Sequence, residues 1–248
     1  MANLDTSQIM VSARQGATNA VPDGVGPILA RGSRYGEAFA TLLQGAKSHA
    51  LVDEGSYFTA VNATAGTAII DTAALTGFVT TTPTMTVFNS NASGGKSIYL
   101  DWFRLNVVAP GASGTNWAWA MYLDTTNRYS SGGTAITPNN ANMASSASSG
   151  ATINFGAITA TAAVGQRKIV AQPGRTVIKV AGDEYLWKFG EQSMPAPGMP
   201  MEGTLQLARQ FAAPPIVIPP QCTFLFYEWG ASQATAASFE LGLGYWER

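Results

Sequence analysis

Ser238-Phe-Glu-Leu-Gly-Leu-Gly-Tyr-Trp-Glu-Arg248 decides the fold. Phe239, Leu241, Leu243 and Tyr245 alternate with Glu240, Gly242 and Gly244. A period of two gives a strand with one buried face. The run before it, Thr223-Phe-Leu-Phe-Tyr-Glu-Trp229, is apolar on both faces, as expected of a central sandwich strand. Ahead of that stands Ile216-Val-Ile-Pro-Pro220. Neither proline can donate to a ladder, so a strand ends there and a corner begins.

Working outward, the same signals recur from about residue 61. Candidate strands cover 67–70, 78–89, 98–108, 116–123, 153–159, 166–171, 176–180, 185–189, 216–218, 223–229 and 239–245. Turn signals separate them at Ser93-Gly-Gly95, Pro110-Gly-Ala-Ser-Gly114, Ser131-Gly-Gly133, Gln172-Pro-Gly174 and Gly182-Asp183. Many short strands punctuated by Gly and Pro indicate an all-β sandwich or barrel. In Trp117-Ala-Trp119-Ala-Met121-Tyr-Leu123 the large residues share one face. About eight main strands in two packed sheets make a jelly roll. The predicted fold is therefore an all-β two-sheet sandwich of jelly-roll type over residues 61–248, preceded by a loop-rich N-terminal arm over residues 1–60.

The arm is rich in turn formers between Gly16 and Pro27. In the stretch 33–47, Phe39, Leu42, Leu43 and Ala46 have helical spacing, and Ser33 suits an N-cap. Gly36 and Gly45 oppose a helix, so a short helix and an extended arm both stand. A loop-rich terminus frays unless something holds it, either its own domain or a neighbouring subunit, which points toward an assembly. Two further stretches read as long surface loops: the small-residue run 138–150 and the Pro- and Met-rich run 194–202.

Composition limits the function. The chain has 248 residues and a net charge of -1, with 46% hydrophobic but only 12% charged residues. Its polar surface is made of hydroxyls and amides, which suits broad protein contact because few ions need desolvation. Phosphate recognition needs clustered Lys and Arg, so nucleic acid is not the expected partner. No apolar run reaches bilayer length and Met1-Ala-Asn-Leu-Asp lacks signal-peptide character, so no membrane is expected and synthesis is placed in the cytosol. The single cysteine, Cys222, excludes an internal disulfide and reads as a buried inert thiol.

Few residues suggest chemistry. Ser93-Gly-Gly-Lys-Ser97 imitates a P-loop end, but position 90 is Ser and a strand follows, so it reads as a hairpin turn. With His49 as the only histidine, no two-histidine metal site exists. Asp53-Glu54 and Asp183-Glu184 are neighbours, which on a strand point to opposite faces, and they read as solvated or turn carboxylates. Asp124-Thr-Thr-Asn127 offers oxygens to calcium without EF-hand spacing, and reads as an Asx turn. Trp117 and Trp119 are read as core, and Trp246 is the tryptophan expected nearest the surface. No cofactor and no metal are expected, nor an enzyme.

The stretch Asp53-Glu-Gly-Ser-Tyr-Phe-Thr-Ala-Val-Asn-Ala-Thr-Ala-Gly-Thr-Ala-Ile69 resembles segments of tailed-phage virion proteins. Tyr129-Ser-Ser-Gly-Gly-Thr-Ala-Ile-Thr-Pro138 and the Pro214-Pro-Ile-Val-Ile-Pro-Pro220 block do so too. The resemblance spans most of 53–248 and rests on turns and strand ends. It implies a non-enzymatic, jelly-roll virion structural protein, either a capsid decoration or cement protein or a head or tail accessory protein. The implied partners are further copies of the chain, with a trimer by analogy, and the major capsid or another virion protein. The implied place is the virion, assembled in the host cytoplasm. Assembly-contact candidates are Phe39, Leu42, Leu43, Tyr57, Phe58, Met199, Met201 and Trp246. The alternative is a tail or neck accessory protein that binds a receptor or carbohydrate.

Overall fold

The computed structural model describes residues 47–72, 75–111, 115–175, 179–190, 208–231, 233 and 235–248. They form one short helix, α1 (Lys47–Asp53), and fourteen strands. The first eight are β1 (Tyr57–Val61), β2 (Ile69–Ile70), β3 (Met85–Asn89), β4 (Ile98–Ala109), β5 (Thr115–Asp124), β6 (Tyr129–Ile136), β7 (Asn139–Asn140) and β8 (Ala151–Ala160). The rest are β9 (Arg167–Arg175), β10 (Glu184–Phe189), β11 (Ala208–Ala213), β12 (Val217–Ile218), β13 (Thr223–Ala231) and β14 (Ser238–Glu247). The first sheet runs β11-β10-β4-β14-β1-β7, with β12 on β4 and β2 on β14. The second runs β6-β8-β3-β13-β5-β9. All pairs are antiparallel except β10–β11.

Eight of these strands wind as a single rolled ribbon. In chain order β1, β3, β4, β5, β9, β10, β13 and β14 pair first with last, second with seventh, third with sixth and fourth with fifth. That connectivity is the jelly roll. The β6–β8 hairpin is an excursion between β5 and β9 that widens the second sheet beyond β3. Between its strands, β7 crosses to the edge of the first sheet and pairs with β1.

The inward faces interlock through aromatic rings. Trp187, fully buried, stacks on Phe103 at 5.0 Å and on Phe211 at 5.3 Å, and meets Trp119 and Phe226 edge-on at 5.3 and 5.1 Å. Trp117 and Trp119 are both core, as the alternation requires. The outer face of the second sheet is also covered: Phe78 lies against Tyr122, Tyr227 and Trp229 at 5.0–5.6 Å. This corrects the predicted strand over 78–89, of which only β3 is strand. Residues 78–84 instead cross that face as a loop, held where the Thr80 carbonyl accepts from Tyr227 and Arg128.

Other expectations shift for equally local reasons. The compact unit that contains the sandwich is Lys47–Arg248, with β1 inside the first sheet between β14 and β7. Strands β1, β6, β7 and β11 were not foreseen; β6 is mostly Ser, Gly and exposed, with no apolar period to betray it. Lys179 and Val180 are not strand, and the rest of the 176–180 candidate lies outside the described residues, as do the helix candidate over 33–47 up to Ala46 and the 194–202 loop. The Ser93–Ser97 turn closes with Gly95 N–H donating to Ala92 O at 2.8 Å, and no helix follows. It is not a hairpin, since it carries the chain from β3 in one sheet to β4 in the other. Pro219-Pro220 makes the matching corner between β12 and β13.

The period of two in β14 takes a specific form. Phe239, Leu241, Leu243 and Tyr245 are buried, as expected of the inward face. On the outward face the two glycines leave a groove filled by the Trp102 indole. A Cβ at Gly242 would stand 3.0 Å from Trp102 Cζ3. One at Gly244 would overlap Trp102 Nε1 and stand 2.6 Å from the Tyr57 hydroxyl. Gly244→Ala is therefore expected to displace the Trp102 indole and cost about 1–3 kcal/mol, read by chemical denaturation with near-UV circular dichroism reporting the indole.

Candidate functional site

Two regions combine chemistry with definite geometry: the outer face of the first sheet and a buried polar cluster between the sheets. The outer face arises because Asp101 and Trp102 both turn outward next to the register shift opposite Gly244/Tyr245. Tyr57 sits across from Trp246 in the β1–β14 pairing. Its hydroxyl donates to Asp101 Oδ2 at 2.7 Å and accepts from Trp102 Nε1 at 3.0 Å. Burial, reinforced by Asp101, pushes the phenol well above the ordinary tyrosine range, so it remains a donor. Beside it Trp246 stacks on Tyr99, centroids 5.5 Å apart and planes within 2°. Next to these rings a cleft of about 440 Å³ is lined by Ser48, Asp101, Trp102, Arg104, Glu184, Leu186 and Lys188.

The predicted contact residues divide. Trp246 is half-buried and reaches the surface through its stack on Tyr99. Tyr57 is 6% exposed beneath Trp102, and Phe58 faces inward, stacked on Tyr245 at 5.8 Å. Phe39, Leu42, Leu43, Met199 and Met201 lie outside the described residues. The structure thus groups Tyr57 and Trp246, and adds Tyr99, Trp102 and Arg104, which the sequence reading did not single out. The bulge that turns both Asp101 and Trp102 outward breaks the period of two along β4, so alternation alone would have put Tyr99 and Trp102 on opposite faces.

The other sequence candidates serve the fold. His49 is exposed on α1. Glu54 pairs with Arg248 at 3.0 Å on the surface. Asp183 accepts from Val180 N–H and the Tyr185 hydroxyl in the turn before β10, while Glu184 lies on the outer face. Cys222 is half-buried, its thiol pushed up by burial and by the nearby Asp124 charge. At 124–127 the Asx turn is present: Asn127 Oδ1 accepts from Tyr129 N–H at 3.0 Å. Asp124 is committed elsewhere. It pairs with the fully buried Arg128 at 2.7 Å and accepts from the N–H groups of Gly165 and Val164. The low-complexity run 138–150 is tied to the chain end, where Glu247 accepts from Ser149 Oγ at 2.5 Å and from Gly150 N–H at 2.9 Å. Among the described residues no group of three or more His, Cys, Asp or Glu side chains could hold a metal, and no helix is long and apolar enough to cross a membrane.

The buried cluster was missed. Glu228 faces inward from β13 at 1% exposure, inside the run read as uniformly apolar. Its Oε2 accepts from Trp117 Nε1 at 2.6 Å and from Lys179 Nζ at 2.6 Å, while its Oε1 has no hydrogen-bond partner among the described residues. Lys179 is 3% exposed, and its Nζ stands 5.1 Å from the centroid of the Phe239 ring. Asp71, 2% exposed just after β2, accepts from Thr84 Oγ1 at 2.8 Å and from Thr72 N–H at 2.7 Å. Thr84 Oγ1 in turn accepts from Glu228 N–H at 3.3 Å, which joins the two carboxyl residues through one hydroxyl. Burial, and after it the Glu228 charge, hold the Asp71 carboxyl well above the usual range. A lone Glu within Phe-Leu-Phe-Tyr-Glu-Trp was the sequence signal: an ion is tolerated there only with a partner.

No protein-family model, curated protein or solved structure matches the chain.

Asp124 yields a pH prediction. Burial alone would raise its carboxyl, but the Arg128 hydrogen bond and the two backbone donors outweigh it and hold the group below the ordinary carboxylate value. Its contribution to stability is therefore full above the unfolded value of about 3.9 and is lost as pH falls through the folded one. Asp124→Asn should lower stability at neutral pH, because Arg128 is left buried without its counter-charge, and should flatten the acid decline. Denaturation midpoints across the range from neutral to about pH 3 check both.

Proposed function

We propose that the protein is a non-enzymatic structural component of a tailed-phage particle, a decoration or cement protein that stabilises the head through contacts between subunits. The observation that carries this reading is the outer face of the first sheet. There Trp102, Tyr99, Trp246 and Arg104 are brought together on a rigid jelly roll. Jelly rolls host viral capsid and lectin domains alike, so the fold alone does not choose between them. Tyr, Trp and Arg are the side chains that anchor protein interfaces. The low charge of the chain, 12% of residues with a net of -1, keeps the desolvation cost of packing against another subunit small. Self-association into a closed ring, a trimer by the family resemblance, would repeat each contact by symmetry. Quantitative mass spectrometry of purified particles of the encoding phage is expected to find the protein at a copy number comparable with the shell protein. Its absence from the particle would refute the reading.

A second reading is a tail or neck accessory protein that binds carbohydrate. It is favoured by the near-parallel Tyr99–Trp246 pair beside the cleft that carries Asp101, Arg104, Glu184 and Lys188. Exposed aromatic faces with adjacent hydrogen-bonding groups suit sugar rings. On this reading a glycan array gives a defined signal that Trp246→Ala abolishes while the fold, followed by far-UV circular dichroism, is retained. A blank array for the unaltered protein rejects it.

A further inference from the structure

The geometry points to a self-modification site inside the sandwich: Lys179 Nζ condenses with the Asp71 carboxyl to form an intramolecular amide, with Glu228 as the proton-transfer group. The inference is independent of the virion reading. Three groups are gathered where water is excluded, at 3%, 2% and 1% exposure. Lys179 Nζ touches Glu228 Oε2 at 2.6 Å, so the amine has a base in contact. Glu228 Oε1 is buried without a hydrogen-bond partner among the described residues, an open acceptor beside the pair. Thr84 Oγ1 donates to Asp71 and accepts from the Glu228 backbone N–H, which ties the Asp71 carboxyl to the stretch of β13 that carries Glu228. The Phe239 ring under Nζ and the Trp117 indole on Glu228 form the apolar wall.

An amine is a nucleophile only when neutral, and a carboxyl accepts attack when protonated. Burial, and after it the Glu228 charge, raise the Asp71 carboxyl well above the usual range, which favours its protonated form. The reaction requires that Lys179 pass its ammonium proton to Glu228 Oε2, which it touches at 2.6 Å. The neutral Nζ then attacks Asp71 Cγ and an N–C bond forms. Glu228 returns its proton to the Asp71 hydroxyl, the C–O bond breaks, and water leaves. Glu228 then takes the second nitrogen proton. One ammonium, one carboxylate and one carboxylic acid become an amide, a neutral acid and water, with no oxidant or co-reactant. The product leaves no buried charge, and it covalently joins the segment after β2 to the crossover between β9 and β10. Confinement of the three groups in one buried cluster takes the place of an activating reagent.

Intact-mass spectrometry of the purified full chain tests this. The expected mass is lower than that of the sequence by one water. The tryptic digest should contain residues 48–96 joined to residues 176–188, uncut at Lys179. Glu228→Gln and Asp71→Ala, each confirmed folded by near-UV circular dichroism, should show their full sequence masses and release the two peptides separately. An unaltered folded chain at its full sequence mass would overturn the inference. So would a water loss that maps to a link between Lys179 and the peptide carrying Glu228.

Discussion

The two sheets are held face to face by an interlocked set of large rings, and the rest of the structure depends on that layer. Trp117 and Trp119 from β5, Trp187 from β10, Phe103 from β4, Phe211 from β11 and Phe226 from β13 meet in stacked and edge-on contacts. Such pairs contribute beyond the area they bury, because the ring quadrupoles select offset and perpendicular arrangements. With five strands from both sheets represented, the layer sets the spacing of the sandwich. It also fixes which residues of β4 and β14 must turn outward. The aromatic outer face is in this sense a by-product of the inner one.

Much of this architecture was legible in the sequence because a strand with one wet face writes its own period. Phe239 to Tyr245 and Trp117 to Leu123 specified their inward faces residue by residue, and Pro219-Pro220 specified a corner. Where the signal failed, the chain lacked the contrast on which periodicity depends. β6, a run of Ser and Gly, pairs with β8 through backbone hydrogen bonds and buries almost nothing of its own. Residues 78–84 looked like strand because Phe78, Val79 and their threonines suit one, yet they pack across the outside of a sheet that is apolar on both sides. β1 was hidden in a segment whose composition suggested an arm.

The polar interior was harder to see than the apolar one. Periodicity marks where apolar side chains go, but says nothing about which distant residues meet. Glu228, Lys179 and Asp71 lie far apart in the sequence and converge only because β13, the β9–β10 crossover and the segment after β2 meet at one end of the sandwich. Arg128 is a parallel case. Its guanidinium donates to Asp124 and to the carbonyls of Thr161 and Thr80, and so pins two loops that no local pattern connects. Arg128 and Lys179 each meet a carboxylate in direct contact, as the cost of desolvation demands.

Pairing the first strand of the ribbon with the last has a consequence for synthesis. β14 is the central neighbour of both β1 and β4, so the first sheet cannot close until that strand has left the ribosome. A nascent chain of this protein carries β1 and β4 without the strand that lies between them until β14 is made. At synthesis rates of about 5–20 residues per second this exposure lasts on the order of ten seconds or more. The first sheet thereby forms late, only once β14 is made, and the polypeptide before that point is a natural client for chaperones that shield unpaired strands.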